Sequence, residues 1–474
     1  MFLEAVHSAV QTFPFGPKGS ASLAAKLWEA GGHAAAQGKS IDPDTPYAEF
    51  WQGGTHEKGP STLAKDGRPL SQVLRERKHE LLGDRLLKKM PWVDSDTHGG
   101  VPVLFKILSA GKALPLQAHP DAEMSKKLYE SQPEREDEQQ VRFDGVHKPE
   151  IALALTDFRG LIGFAPREDI MQRFKLLPEL QELLLAKNIP IEISKHLHHD
   201  MVDPYNEIVE PGHTSYSWHD KVSAALGRML GADDKLLLKT INLILKRAFE
   251  ATEEAWPGPE AQQLKSLILE LDEQYPGDSG VLVAPVFMNL AELKPGECIY
   301  APADTIHAWL SGNIIEAMPA SVNVHNVAFG PEPSLETLDL FTKMLTYEFK
   351  PVSDFKIEAE PLPNKKDAVF VYRIPLEEFD VLHVKLDAEK GPIRLFDGEE
   401  DSALDGIAII GVVSGQGKMR GFNADSKGGK TGQDDDMLEV KAGSVVVVGK
   451  GTGLEISGDG PLDAYISVCQ PKNP

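Results

Sequence analysis

The chain has 474 residues, of which 41% are hydrophobic and 26% charged, as is typical of a globular protein too long for one compact core. Its 49 basic and 72 acidic side chains give a formal net charge of −23, so we expect no binding to nucleic acid or anionic membranes. With only two cysteines, Cys298 and Cys469, the chain cannot form a disulfide framework or a thiolate zinc finger. No signal peptide or membrane-length apolar run is recognisable, and together these features predict a cytoplasmic protein.

The first predicted strands lie before about Pro166. The runs VPVLFKILSA and IALALTDFRGLIGF are rich in β-branched or aromatic residues and are bounded by glycine or proline. Between them, the stretch LPLQAHPD places Gln117 and His119 two residues apart. Alternate residues of a strand share a face, so these two polar side chains are expected to project side by side.

A helical block is predicted from about Arg167 to Gln274, where apolar residues recur at spacings of three and four. Four segments carry this pattern: QRFKLLPELQELLLAKN, HDKVSAALGRML, DKLLLKTINLILKRAFEATEEAW and AQQLKSLILELDEQY. Strand-like texture returns directly afterwards, in GDSGVLVAPVFMNLAELKPGECIYAPADTIHAWL. The helices are therefore interpreted as an insertion into a β domain.

The region after about Pro351 is rich in glycine and in short strand-like runs such as DVLHVKLDA and IAIIGVVSG. Many short strands separated by turns are typical of a barrel or jelly roll. The simplest architecture is mainly β, with one barrel interrupted by helices and a second barrel after it. We expect residues 1–166 with 275–350 to form the first domain, 167–274 the helical insertion and 351–474 the C-terminal β domain.

Four polar residues of the strand-like regions have side chains that could bind a divalent metal: Gln117, His119, Glu150 and His307. Two imidazoles, a carboxylate and an amide oxygen suit zinc, and would also accept iron, manganese or cobalt. Spacing alone is weak evidence, because the four positions are scattered along the chain. Strand polar residues that are satisfied by hydrogen bonds remain the alternative at this point.

Four blocks of the sequence resemble the type I phosphomannose isomerases, a zinc-dependent family with the cupin (small β-barrel) fold. They are WQGGTHEKGPS, LFKILSAGKALPLQAHPD, HKPEIALALTDFRGLIGF and LKPGECIYAPADTIHAWLSGNIIEAM. The order of the blocks, the helical insertion and the C-terminal β region match as well, so the likeness covers nearly the whole chain. It implies cupin-type (jelly-roll) β-barrels plus an α-helical domain.

The resemblance also implies an activity and a site. The family interconverts mannose 6-phosphate and fructose 6-phosphate by moving a proton between C1 and C2, which supplies mannose for GDP-mannose synthesis. Such a reaction needs a base and a cationic group near the developing oxyanion. By this likeness Lys148 and Glu316 are pocket groups, the partner is a sugar phosphate, and we expect a monomer. One zinc ion per chain is then held by Gln117, His119, Glu150 and His307.

Several positions around this pocket depart from the family pattern. The family's catalytic arginine falls on Asn326, and His325 replaces it only if the strand register is shifted, since neighbours on a strand face opposite ways. The other changed positions, where the family has a serine, a tyrosine, an acidic residue and a lysine, are Pro115, Trp309, Val322 and Glu332.

These losses favour two alternatives to an efficient isomerase. One is a catalytically weak or inactive paralogue that acts as a regulatory or binding module. The other is a different metal-dependent cupin enzyme, in which His119, His307 and Glu150 form a two-histidine, one-carboxylate site for iron.

Overall fold

The computed structural model describes residues 1–94, 100–132, 143–186, 201–210, 215–250, 253–365, 367–387, 391–398, 402–424 and 437–472. Within these ranges the chain forms two large antiparallel sheets, with a layer of helices packed on one of them. The mainly β, cupin-type fold with a helical part is confirmed. Strand pairing in the described ranges leaves the sheets open rather than closed into barrels.

The described strands are, in chain order, β1 (Leu3–His7), β2 (Ala9–Gln11), β3 (Glu49–Gln52), β4 (Thr62–Leu63), β5 (Val103–Ala110), β6 (Leu116–Ala118), β7 (Glu150–Ala154), β8 (Phe158–Phe164), β9 (Met288–Leu293), β10 (Cys298–Ala301), β11 (His307–Pro319), β12 (His325–Ala328), β13 (Lys356–Ile357), β14 (Ala359–Pro361), β15 (Val369–Tyr372), β16 (Asp380–Leu386), β17 (Ile393–Leu395), β18 (Ile407–Asn423), β19 (Met437–Lys441), β20 (Val445–Val448) and β21 (Thr452–Cys469).

The described α-helices are α1 (Leu23–Ala30), α2 (His33–Ala36), α3 (Leu70–Glu76), α4 (Lys78–Leu81), α5 (Asp84–Lys89), α6 (Ala122–Ser131), α7 (Arg167–Leu176), α8 (Leu180–Leu185), α9 (Pro204–Val209), α10 (Trp218–Leu230), α11 (Asp234–Glu250), α12 (Gly258–Gln274), α13 (Gly280–Phe287) and α14 (Leu335–Met344). None of the helices in the described ranges combines the length and the apolar character that a membrane span requires.

The first sheet is organised around the long strand β11. Its main path is β13-β10-β7-β11-β5-β3-β2, and β6, β8, β9 and β12 form a second branch that starts from β11. The first residues of β11 pair with β6 and β8, whereas Gly312–Pro319 pair with β5. Because one strand takes part in both branches, residues that are far apart in the sequence meet on it.

The helical layer covers one face of the second branch. Ala308 and Leu310 of β11 belong to the apolar core shared with the helices, together with Phe164 and Phe287. His307 and Trp309 alternate with them and therefore point to the other face. This alternation leaves a separate face of the sheet for polar groups.

Helix boundaries follow the sequence pattern except at one segment. Helix α7 begins at Arg167 and α12 ends at Gln274, as the periodicity predicts. The run GVLVAPVF, interpreted as part of a strand-like segment, forms α13 instead, so that interpretation is wrong. All eight of its residues are buried, and without a polar face a short apolar run does not distinguish a helix from a strand.

The second sheet has the order β14-β15-β16-β21-β18-β20-β1-β4, with β17 beside β21 and β19 beside β18. It includes the N-terminal strand β1, in which Leu3 lies opposite Val448 of β20. The two ends of the chain thus share one sheet. The division at residues 166, 274 and 350 stays a prediction.

Candidate active site

A cavity of about 290 Å³ lies against the first sheet. Five of the predicted site residues line it: Gln117, Lys148, Glu150, Glu316 and Asn326. The two histidines of the predicted set, His119 and His307, are not part of the lining and are 1% and 0% exposed. The structure therefore brings all seven predicted positions to one region, with the imidazoles at its buried end.

Strand register sets which of these side chains face the cavity. Gln117 of β6 lies opposite His307 of β11 on one side and opposite Asn326 of β12 on the other. Directly opposed residues of antiparallel strands share a face. His325 lies opposite Ala118, so it points away, where its ring stacks on Phe143 with centroids 5.5 Å apart. The irregularity in this pairing comes after Asn326, and His325 does not replace the family's arginine.

Three buried side chains converge at the closed end of the cavity. The Nε2 atom of His119 lies 3.2 Å from Oε1 of Glu150, and Nε2 of His307 lies 3.3 Å from Oε2 of the same carboxylate. The three potential ligand atoms lie within 4.8 Å of one another. Glu150 begins β7 and His307 begins β11, so regular sheet structure holds two of the three donors.

Backbone carbonyls fix the orientation of both imidazoles. Nδ1 of His119 lies 2.7 Å from the carbonyl oxygen of Asn323, and Nδ1 of His307 lies 2.9 Å from that of Thr305. A carbonyl only accepts, so each Nδ1 carries the proton and each Nε2 presents a lone pair to Glu150. Imidazoles that bind a metal are usually oriented in this way.

The facing atoms of this cluster lack hydrogen-bond partners among the described residues. Nε2 of His119, Nε2 of His307 and Oε2 of Glu150 are all buried without one. Burial, with a contribution from the Lys148 ammonium, lowers the pKa of His119 to about 4, so its imidazole is neutral at pH 7. Burial opposes the charge of Glu150, but the Lys148 ammonium acts in the opposite direction, and the pKa of the carboxyl is held well below its usual range. Two imidazole nitrogens and a carboxylate are donors that fit a divalent cation.

The loop after β11 carries part of this arrangement. The Asp144 carboxylate accepts hydrogen bonds from the Val322 N–H (2.7 Å) and from the Ser321 hydroxyl (3.0 Å). The Ser321 hydroxyl in turn accepts from the Asn323 N–H, at 3.2 Å. This loop places Val322 in the cavity wall and aims the Asn323 carbonyl at His119.

A second buried polar group was not identified from the sequence. Lys106 is 6% exposed, and its ammonium lies 3.0 Å from Oε2 of Glu49 and 2.5 Å from Oε2 of Glu316. The Trp51 indole N–H donates to Glu49 (2.7 Å) and the Trp309 indole N–H to Glu316 (2.6 Å). The sequence contains one signal for this group, the single lysine within the apolar strand VLFKILSA. Because a lysine is almost never buried without a partner, its position in this strand indicates a buried ion pair.

The charges of this group interact strongly. Burial opposes the charge of Lys106, but the Glu316 and Glu49 carboxylates outweigh it and raise its pKa, so the lysine stays protonated. Burial raises the pKa of Glu316 to about 7, and the nearby Glu150 and Glu49 charges act in the same direction. Glu316 is therefore a carboxyl group that exchanges its proton near neutral pH.

The positions that depart from the family pattern are not all in the cavity. Pro115, Val322 and Asn326 line it, whereas Trp309 is fully buried behind Glu316. Trp309 donates its indole N–H to the Glu316 carboxylate at 2.6 Å. Glu332 lines a separate cavity of about 370 Å³ near the helical layer.

The fold and this cluster define the chain as a cupin-type protein with a candidate metal site at a cavity of about 290 Å³. Residues 3–167 match the family model described as phosphomannose isomerase type I, catalytic domain. The chain is 32% identical over 459 residues to the mannose-6-phosphate isomerase of Cryptococcus neoformans, covering 95% of each chain. The chain belongs to the type I phosphomannose isomerase family.

Other relatives agree with this assignment. The mannose-6-phosphate isomerase of Schizosaccharomyces pombe is 30% identical, with 97% of this chain and 98% of that protein covered. Among solved structures, mannose 6-phosphate isomerase bound with zinc and yttrium has a TM-score of 0.73 at 20% identity and covers 99% of this chain and 100% of that one. The apo form from Salmonella typhimurium has the same TM-score, identity and coverage. At these identities the solved structures support the fold.

Proposed function

We propose that the chain is a cytoplasmic, zinc-dependent aldose–ketose isomerase that interconverts mannose 6-phosphate and fructose 6-phosphate, supplying mannose for GDP-mannose synthesis. The observation that carries this proposal is the buried cluster of His119, Glu150 and His307 at the closed end of a cavity. Family membership supports the reaction, since the related fungal proteins are named mannose-6-phosphate isomerases.

Zinc is the metal that the donor set favours. His119, Glu150 and His307, with the amide oxygen of Gln117, would hold one ion per chain, because imidazole nitrogen and carboxylate oxygen are usual zinc donors. A related structure bound with zinc supports the same choice. When bound, zinc acts as a Lewis acid that holds sugar oxygens and stabilises negative charge on them.

The remaining chemistry belongs to side chains of the cavity. Glu316 moves the proton between C1 and C2, because a carboxyl whose pKa is near 7 can both accept and return a proton at neutral pH. The ammonium groups of Lys106 and Lys148 place positive charge beside the oxygen on which negative charge develops. The Trp309 N–H holds Glu316 in position at 2.6 Å.

A weak or inactive paralogue is the second candidate, and one observation favours it. Asn326 occupies the family's arginine position and lines the cavity beside Val322 and Val324, so this wall carries no fixed positive charge. Loss of one such contact in the transition state commonly costs about a hundredfold in rate.

A coupled isomerase assay on zinc-loaded protein tests both candidates. We expect wild-type turnover that is abolished in Glu150→Ala, with about one zinc per chain in wild type by elemental analysis. No turnover in wild type but activity in Asn326→Arg would place the defect at the missing charge and favour the weak paralogue. Iron in place of zinc in the protein as purified, before zinc is added, would favour a different metal-dependent cupin enzyme. If zinc is bound and neither protein is active, the proposed activity is wrong.

A further inference from the structure

We propose that Lys58, in the turn after β3, binds the phosphate group of the substrate and sets the preference for a phosphorylated sugar. This inference rests on the proposed function and assigns the charge contact that the changed wall of the cavity no longer makes.

Among the described residues, the lining of the cavity includes three lysines: Lys58, Lys106 and Lys148. Lys106 is held between Glu49 and Glu316, and Lys148 lies 3.3 Å from Oε1 of Glu150. Lys58 is exposed, and its ammonium makes no ion pair with any carboxylate of the described residues. It is the lysine of this lining that is available to an incoming dianion.

Hydrogen bonds hold the backbone of the turn that carries Lys58. The Lys58 N–H donates to Nδ1 of His56 at 3.1 Å, and the Lys58 carbonyl accepts from the Gln11 amide at 2.9 Å. The Ser61 N–H donates to the Gly54 carbonyl at 2.9 Å and closes the turn. Only the side chain of Lys58 must be ordered when a ligand binds, which keeps the entropic cost of binding small.

Strand register sets the distance between Glu150 and this turn. Register places Ala152, Glu316, Lys106 and Trp51 opposite one another across β7, β11, β5 and β3. Ala152 and Trp51 are thus about 14 Å apart, at about 4.8 Å for each of three strand spacings, and Glu150, about 6.8 Å further along β7, is about 16 Å from Trp51. The turn folds back on Trp51, because an added Cβ on Gly59 would lie 2.5 Å from the Trp51 ring.

This span suits a hexose phosphate that reacts at the buried end. Seven bonds from C1 to phosphorus extend about 8 Å and a lysine side chain about 6 Å, at about 1.2 Å for each bond of an extended chain. The sum is about 14 Å, and a charge-assisted hydrogen bond of about 2.8 Å between the ammonium and a phosphate oxygen brings the reach to about 17 Å, enough for this span. Pro115, Val322 and Val324, which also line the cavity, offer no charge to the phosphate.

The test compares Lys58→Met with Lys26→Met, which removes the same charge from an exposed site on α1 outside the cavity. In Lys58→Met we expect KM for mannose 6-phosphate to rise about tenfold with kcat changed less than about twofold, as for a contact made equally in ground and transition states. The inhibition constant of inorganic phosphate should rise by the same factor. Lys58→Arg should stay close to wild type, because the guanidinium also binds phosphate.

The outcomes separate this inference from the proposed function. If wild type turns over, the inference is overturned when KM is unchanged in Lys58→Met or when KM rises equally in Lys26→Met. The proposed function stands in both cases. If wild type does not turn over, calorimetric titration with inorganic phosphate decides: binding that is lost in Lys58→Met supports the inference although the function fails. Absence of phosphate binding in an inactive wild type overturns both.

Discussion

Replacement of Trp309 by phenylalanine tests whether Glu316 is the proton-transfer group. The substitution removes an indole N–H that donates to Glu316 at 2.6 Å in a fully buried environment. A hydrogen bond to a charged group contributes about 1.5–3 kcal/mol, and the lost bond favoured the ionised carboxylate. At 1.36 kcal/mol for each unit, the pKa of Glu316 should rise by about 1–2 units from its value of about 7.

The expected result is a shift of the acid limb of the profile of kcat/KM against pH. A base must be ionised, so a higher pKa moves the limb upward by about 1–2 pH units and lowers kcat/KM at pH 7 about 5- to 50-fold. Above the shifted pKa the variant should recover most of its activity, since the carboxylate is again ionised. The assay is initial-rate kinetics on zinc-loaded protein between pH 5 and 10.

Trp51→Phe is the matched control. It removes an equivalent indole hydrogen bond, at 2.7 Å, from Glu49 on the other side of Lys106. Both variants should lower the free energy of unfolding by a similar amount, but Trp51→Phe should leave the acid limb within about half a pH unit of wild type. An unmoved limb in Trp309→Phe, or an equal shift in both variants, would refute the role of Glu316.

Three further predictions concern stability. Gln52 is fully buried, and neither polar atom of its side chain has a hydrogen-bond partner among the described residues. Gln52→Met should therefore raise the free energy of unfolding, measured in urea, by about 1–3 kcal/mol. A loss of stability would contradict this prediction. Burial lowers the pKa of His33 to about 4, and its ring accepts from the Ser8 N–H and donates to the Gly443 carbonyl. The neutral His33 ring therefore contributes its full stability above about pH 6.5, and this contribution is lost as the pH falls towards 4. In wild type the free energy of unfolding should fall between pH 7 and pH 5, and in His33→Gln this fall should be smaller by about 2 kcal/mol. Zinc at a hundred times its dissociation constant should add about 2.7 kcal/mol of stability that a chelator removes, and thermal melts of Glu150→Ala should show no such difference.

Much of the site could be predicted from local pattern. Alternation in LPLQAHPD predicted that Gln117 and His119 share a face, and both lie at the cavity or beside it. The helical periodicity between Arg167 and Gln274 likewise matches the bounds of α7 and α12. These features depend on residues close together in the sequence, and their spacing predicts which side chains share a face of a strand or helix.

The sequence by itself thus determined the strand and helix texture, the set of metal-type donors and the family likeness. Only the tertiary structure decided that β1 pairs with β20, that His325 points away from the cavity, and that Lys106 joins Glu49 to Glu316. The physical reason is that period-two alternation states which residues share a face of one strand, whereas the choice of neighbouring strand and its register depends on packing between distant segments. Lys106, Glu49 and Glu316 come from three strands separated by tens to hundreds of residues, so no local pattern connects them.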